Sequence, residues 1–191
     1  MRIIGGRARG LQLAPVGAGD AEAHLRPTSD RVREAIFNLL INGGYGNPLA
    51  GARVLDLFAG TGALGLEAIS RGARFALFVD DSTEGRALTR ENVETLSLGG
   101  RTRIFRRDAT KLGAANAGDV FDLAFLDPPY GKGLAPLALA SLRDGGWLNP
   151  GALVLVEEEA GADIGTPEGY QLLEKRTYGD TKVVFLRRAP L

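Results

Sequence analysis

An alternation sets in at Arg53 and runs through most of the chain: VLDLF, ALGLEAISRG, FALFVD, a polar amphipathic segment reaching Leu98, TRIFRRD, FDLAFLD, LAPLALASLRDGG and ALVLVEEE. Five short apolar runs are thus separated by helical stretches, or in one case by a short helix or turn. Runs this continuously apolar suit strands buried on both faces, as in a parallel sheet with helices packed above and below. The final pair, YQLLEKRTY and TKVVFLRR, flanks Gly179-Asp180 with no room for a helix between them, so they are expected to form an antiparallel hairpin at the sheet edge. The expected fold is α/β, with a mostly parallel seven-stranded sheet and an antiparallel C-terminal hairpin.

Two pieces precede the alternation. Residues 1–16 alternate apolar and polar positions around GGRARG, which predicts a small N-terminal β-hairpin carrying Arg2, Arg7 and Arg9 with no acid among them. In LRPTSDRVREAIFNLL, the residues Thr28, Ser29 and Asp30 are N-cap candidates. Val32, Ala35, Ile36, Leu39 and Leu40 then form one apolar helix face that ends before Gly43-Gly44. The 191 residues, 45% hydrophobic, are enough for one well-filled core and too few for two ordinary domains. A single domain over 1–191 is expected, with 1–24 an N-terminal basic hairpin and loop and 25–191 the catalytic core. Lys plus Arg and Asp plus Glu both total 23, so any attraction to nucleic acid must be local; Arg2, Arg7 and Arg9, with Arg26 and Arg33 nearby, are the expected phosphate contacts. The absence of cysteine excludes disulfides, thiolate zinc sites and iron–sulfur clusters. With no apolar stretch of signal-peptide or membrane-spanning length, a cytoplasmic monomer without metal or membrane partner is expected.

The residues that carry chemistry follow the strands. VLDLFAGTGALGLEA runs a strand into a glycine turn and then a helix, matching GxGxxG at the strand ends where open α/β sheets bind ligands. A nicotinamide dinucleotide is the obvious rival, since Asp80 lies twenty residues after Gly60. Asp56 argues against it, because a carboxylate beside the turn repels a pyrophosphate but suits S-adenosylmethionine, which carries an ammonium and a sulfonium and no phosphate. Asp80 is then placed for ribose hydroxyls, with Asp81 beside it. Asp108 is placed for an adenine amino group, with Ala109 offering its backbone N–H; a helix N-cap is the alternative for Asp108.

After the fourth apolar run comes Asp127-Pro128-Pro129-Tyr130. An exocyclic amine on a base is a poor nucleophile because its lone pair is delocalised into the ring, so methylating it requires two acceptors for its N–H bonds. Asp127 supplies one. The Pro128 carbonyl supplies the other, with no N–H from Pro129 to compete. Tyr130 offers a flat face for the base, and such stacking, worth about 1–3 kcal/mol, offsets part of the cost of extracting it from a helix.

MRIIGGRARG, LRPTSDRVREAIFNLL, LDLFAGTGALGLEAISRG, FLDPPY and YGDTKVVFLRR together closely resemble the RsmD family over nearly the whole chain. The resemblance implies a Rossmann-like class I S-adenosylmethionine-dependent methyltransferase fold, acting on N2 of one guanine of 16S ribosomal RNA in the assembling 30S subunit. It further implies that Phe58, Ala59, Gly60, Thr61 and Gly62, with Asp56, Asp80, Asp81, Asp108 and Ala109, bind cofactor, and that Asp127 to Tyr130 hold the guanine. Thr28 and Arg31, in the RPTSDRVRE segment, become expected contacts to the cofactor's methionine end. Two other classes share parts of the pattern: an assembly factor that binds RNA without turnover, and a DNA adenine or cytosine methyltransferase, although the fifty or so residues before the first strand leave little for target recognition in the latter.

Overall fold

The computed structural model describes residues 1–16 and 28–190. Its elements are α1 (Asp30–Asn42), β1 (Arg53–Leu57), α2 (Ala63–Ser70), β2 (Phe75–Val79), α3 (Thr83–Thr95), β3 (Thr102–Phe105), β4 (Phe121–Leu126), α4 (Leu134–Gly145), β5 (Leu148–Glu159), β6 (Tyr170–Tyr178) and β7 (Thr181–Arg188). One seven-stranded sheet has the order β3-β2-β1-β4-β5-β7-β6. The first five strands are parallel, and β7 runs antiparallel between β5 and β6. The alternating faces of the apolar runs feed two cores. Val54, Phe78, Phe125 and Phe185 pack with α1 and α2, while Leu55, Val79, Leu126, Val156 and Trp147 pack with α4. Trp147 is a packing residue, fully buried with its indole N–H donated to the Gly113 carbonyl at 2.8 Å.

The register sets up the site. Leu57 pairs with Val79 and with Leu126, and Leu126 with Val156. Phe58, Asp80 and Asp127 therefore leave the sheet in one row at its carboxyl edge, level with Glu157 of β5. Chain order reverses between β1 and β4, so the row straddles the topological switch point where ligands of open α/β sheets bind.

The N-terminal hairpin is present in its shortest form, a single bridge between Arg2 and Gln12 with Ile3 and Leu13 buried in the core. It is woven into the helices. Ile4 and Gly5 donate their amides to Glu67 of α2, Ala8 donates to Ser70, and Ala14 donates to Asn92 of α3 at 2.7 Å. Helix α1 starts as expected, with Ser29 capping the Val32 amide. Its buried face, however, is Arg33, Ile36, Phe37 and Leu40. Arg33 is fully buried, paired with Glu67 at 3.2 Å and Asp30 at 2.9 Å and donating to the Arg2 carbonyl, so the expectation that it contacts RNA phosphates is overturned. Arg2, Arg7 and Arg9 are exposed; Arg26 lies outside the described residues, as does His24. No helix among the described residues is long and apolar enough to cross a membrane.

Candidate cofactor and substrate cleft

Above the row of strand ends opens a cleft of about 760 Å³, within the roughly 300–1,000 Å³ common for small-molecule sites. It is lined by Thr28, Asp56, Phe58, Ala59, Gly60, Thr61, Asp80, Asp81, Asp108, Ala109 and Asp127 to Tyr130, so the two groups of residues singled out from the sequence share one cavity. Two members of the expected set lie outside its lining. Arg31 is on the exposed face of α1, and Ser29 and Val32 line the cleft in its place. Gly62 backs the turn, where a Cβ would stand 3.1 Å from Thr89 Cγ2 and 3.3 Å from Phe78 Cε1 at a φ of 78°.

The glycine turn is held from three sides. Asp80 accepts from the amides of Gly60 and Ser82, both at 2.8 Å. From α3, Thr89 donates to the Gly60 carbonyl at 2.7 Å and Asn92 to the Thr61 carbonyl at 2.8 Å. Phe58, at a φ of 57°, holds a left-handed conformation costly for an aromatic residue, which the surrounding bonds sustain. Asn92 also receives the Ala14 amide, so one side chain couples the N-terminal hairpin to the turn.

Asp56 is 1% exposed and accepts the Gly65 amide in the first turn of α2 at 3.0 Å. It stands where a bound phosphate would meet the helix N-terminus. Burial pushes its carboxyl up to about 8, against the pull of the Gly65 amide and with a further push from the Asp80 charge. Asp56 is thus largely neutral at pH 7, and the repulsion of phosphate first ascribed to it falls to the cleft as a whole. Among the described residues its lining has seven acids, Asp56, Asp80, Asp81, Asp108, Asp127, Glu157 and Asp180, against one basic residue, Arg107. Such a lining fits a cationic ligand with ribose hydroxyls and opposes a pyrophosphate.

Asp108 caps an Asx turn, accepting the Thr110 amide at 2.8 Å and hydroxyl at 2.7 Å; no helix follows. Those bonds hold its carboxyl below the usual carboxylate range. The carboxyl group of Asp127 is enclosed although the residue keeps some exposure. Thr28 Oγ1 lies 3.0 Å from Asp127 Oδ2 and 2.6 Å from Glu157 Oε2, joining the two acids. Burial first, then the Glu157 charge, raise Asp127 well above its ordinary value. The Tyr130 hydroxyl is 2.8 Å from Thr181 Oγ1, which ties the ring to the start of β7. Glu157, Tyr178, Asp180 and Thr181 were not singled out from the sequence. The signal for Glu157 was available, since it is an acid directly after an apolar strand run, as Asp80 and Asp127 are.

Fold and cleft together define a Rossmann-like class I methyltransferase. The chain belongs to the family described as "Conserved hypothetical protein 95", whose profile matches residues 1–187. It is 38% identical over 182 residues to a Haemophilus influenzae protein named ribosomal RNA small subunit methyltransferase D, covering 94% of this chain and 89% of that one. The Escherichia coli K12 protein of the same name is 37% identical over 183 residues, with 94% and 85% covered. A solved E. coli structure of a candidate methyltransferase superposes with a TM-score of 0.79 at 33% identity, covering 100% of this chain and 99% of that one. The resemblance to the RsmD family read from the sequence is borne out.

Proposed function

We propose that this chain transfers a methyl group from S-adenosylmethionine to an exocyclic amino nitrogen in small-subunit ribosomal RNA, N2 of a guanine. The observation that carries the reading is the shared cleft, in which Asp127-Pro128-Pro129-Tyr130 stands in register with Phe58 and Asp80 beside the glycine turn. The cofactor supplies an electrophilic methyl on a cationic sulfur. Phe58 to Thr61 provide the backbone floor, and Asp80, already fixing the Gly60 amide, keeps lone pairs for the ribose hydroxyls. Asp127 accepts one N–H of the target amine and the Pro128 carbonyl the other, which aims the nitrogen lone pair at the methyl. Because Thr181 anchors the Tyr130 hydroxyl, the ring is oriented for stacking before the base arrives. The two relatives named above act by name on small-subunit ribosomal RNA, which supports that acceptor over duplex DNA.

Transfer of labelled methyl to free 16S RNA, small subunits and duplex DNA, followed by nucleoside mass analysis, tests the proposal. N2-methylguanosine in the ribosomal substrates is expected. Label in DNA alone, or in no nucleic acid despite tight cofactor binding, overturns it.

A further inference from the structure

β3 is an edge strand of the sheet, and the chain passes from it to β4 through residues 106–120 without a helix. A right-handed crossover would lay such a helix on the sheet face shared with α4. There β3 presents Phe105 and, two residues before it, Arg103. Guanidinium groups lie over the aromatic rings of this face. Arg103 Cζ is 4.5 Å and Arg107 Cζ 5.7 Å from the Phe105 centroid, and Arg53 Cζ is 4.5 Å from that of Phe75 and 5.2 Å from that of Phe121. Residues 101–111 carry five basic side chains, Arg101, Arg103, Arg106, Arg107 and Lys111, and one acid, Asp108, in a chain whose basic and acidic totals are both 23. Arg103, Arg106, Arg107 and Lys111 are exposed. Asp119 stands 3.5 Å from Arg103 and 3.8 Å from Arg53, while Arg101 donates to the Ala73 carbonyl and Arg107 to that of Leu112. An arginine has five N–H donors, so these bonds orient the guanidinium groups and leave donors for a further ligand.

Resting on the ribosomal RNA reading above, we propose that this edge is a docking surface for single-stranded RNA beside the target nucleotide, with bases on the guanidinium planes backed by Phe105 and Phe75 and phosphates on Arg106 and Lys111. The local excess of positive charge selects a polyanion. The backed planes select unpaired bases over a duplex, whose bases are already stacked on one another. The surface runs into the cleft, since Arg107 lies beside Phe105 and lines the cavity next to Asp108. A base drawn into the cleft must leave its helix, and the strand flanking it is then unpaired RNA within reach of this edge. Charged side chains on an edge strand also guard it against pairing with a foreign sheet. Guarding asks only for charge, which lysine supplies as well as arginine, so the planar guanidinium separates the two roles.

The test is a fluorescence-anisotropy titration of the full chain with a short labelled single-stranded RNA of mixed sequence, and with the same RNA as a duplex, over a salt series. The parent is expected to bind the single strand more tightly than the duplex. The double variant Arg106→Gln/Lys111→Gln should weaken single-strand binding about tenfold and reduce the slope of log affinity on log salt by about 0.7 per lost contact. The arginines of the N-terminal hairpin are intact in every variant, so their share of the slope cancels. Arg103→Lys keeps the charge and should leave the slope unchanged while weakening the single strand about fivefold and the duplex hardly at all. An unchanged slope in the double variant overturns the inference, and so does a parent that binds duplex as tightly as single strand. If Arg103→Lys matches the parent on both RNAs, the arginine only guards the edge and the stacking surface is refuted. Failure of the parent to methylate any ribosomal substrate defeats the acceptor reading, a separate outcome from these binding titrations.

Discussion

Glu67 offers the sharpest test of how the cleft is supported. It is fully buried on α2 and accepts from the Ile4 amide, the Gly5 amide and Arg71 Nε, each at 2.9 Å, and from Arg33 Nε at 3.2 Å. Glu67→Ala removes all four acceptor contacts and leaves the fully buried Arg33 with only Asp30 and the Arg2 carbonyl. Breaking a buried ion pair from one side costs about 3–5 kcal/mol, and each orphaned amide about 1–3 kcal/mol before water or local shifts relieve it. The terms overlap at one site and do not sum, so a loss of about 4 kcal/mol is expected. For a chain of this size that corresponds to a fall of roughly 10 °C in Tm. Urea unfolding followed by circular dichroism should show a lower midpoint at unchanged slope. A loss under about 1 kcal/mol would refute the reasoning, since Glu67 could then not be what joins the hairpin, α1 and α2.

Three further outcomes are expected. Asp127→Ala should keep calorimetric cofactor affinity within a fewfold while lowering single-turnover methyl transfer by about 100-fold or more; turnover within a fewfold of the parent would mean the amine is held elsewhere. Asp56, raised in the folded state from 3.8 to about 8, binds its proton more tightly folded than unfolded. Its contribution to stability is therefore full below 3.8 and is lost as pH rises through about 8, so Asp56→Asn should flatten the decline of Tm over that window; an unchanged profile contradicts the assignment. Replacing Arg2, Arg7 and Arg9 together by alanine should reduce the dependence of log RNA affinity on log salt by about 0.7–0.9 per lost phosphate contact, and an unchanged slope in a folded variant removes them as anchors. Substitution is cleaner than deletion here, because residues 1–16 also hold Glu67 and Asn92.

The sheet was legible because its strands are buried on both faces and so read as unbroken apolar runs, and because the Gly179-Asp180 turn leaves space only for a hairpin. Asp80, Asp127 and the glycine turn were legible for a related reason: each follows such a run and must emerge at the same edge. Arg33 was not. Its place at three and four residues before Ile36 and Phe37 marks the buried face, but charge alone reads as surface, and Glu67, thirty-four residues on, carries no sign that it will meet it. The wall formed by Tyr178, Asp180 and Thr181 was hidden for the opposite reason. A polar hairpin turn looks like any solvated turn until the antiparallel return of β7 beside β5 brings it over Tyr130.

The position of β7 also bears on how the molecule is made. Synthesis delivers β6 before β7, and β6 joins the sheet only through β7, which lies between it and β5. The edge of β5 therefore stays open until β7 is made, and closing it across the intervening β6 is a non-local step that leaves a strand edge exposed meanwhile. Thr181 is the first residue of β7, so Tyr130 gains its anchor only when that strand docks. A nascent chain can complete the floor of the cleft early and still lack the wall that orients a base. Under the proposed reading, orientation of a target base is in this way deferred to the last strand of the sheet.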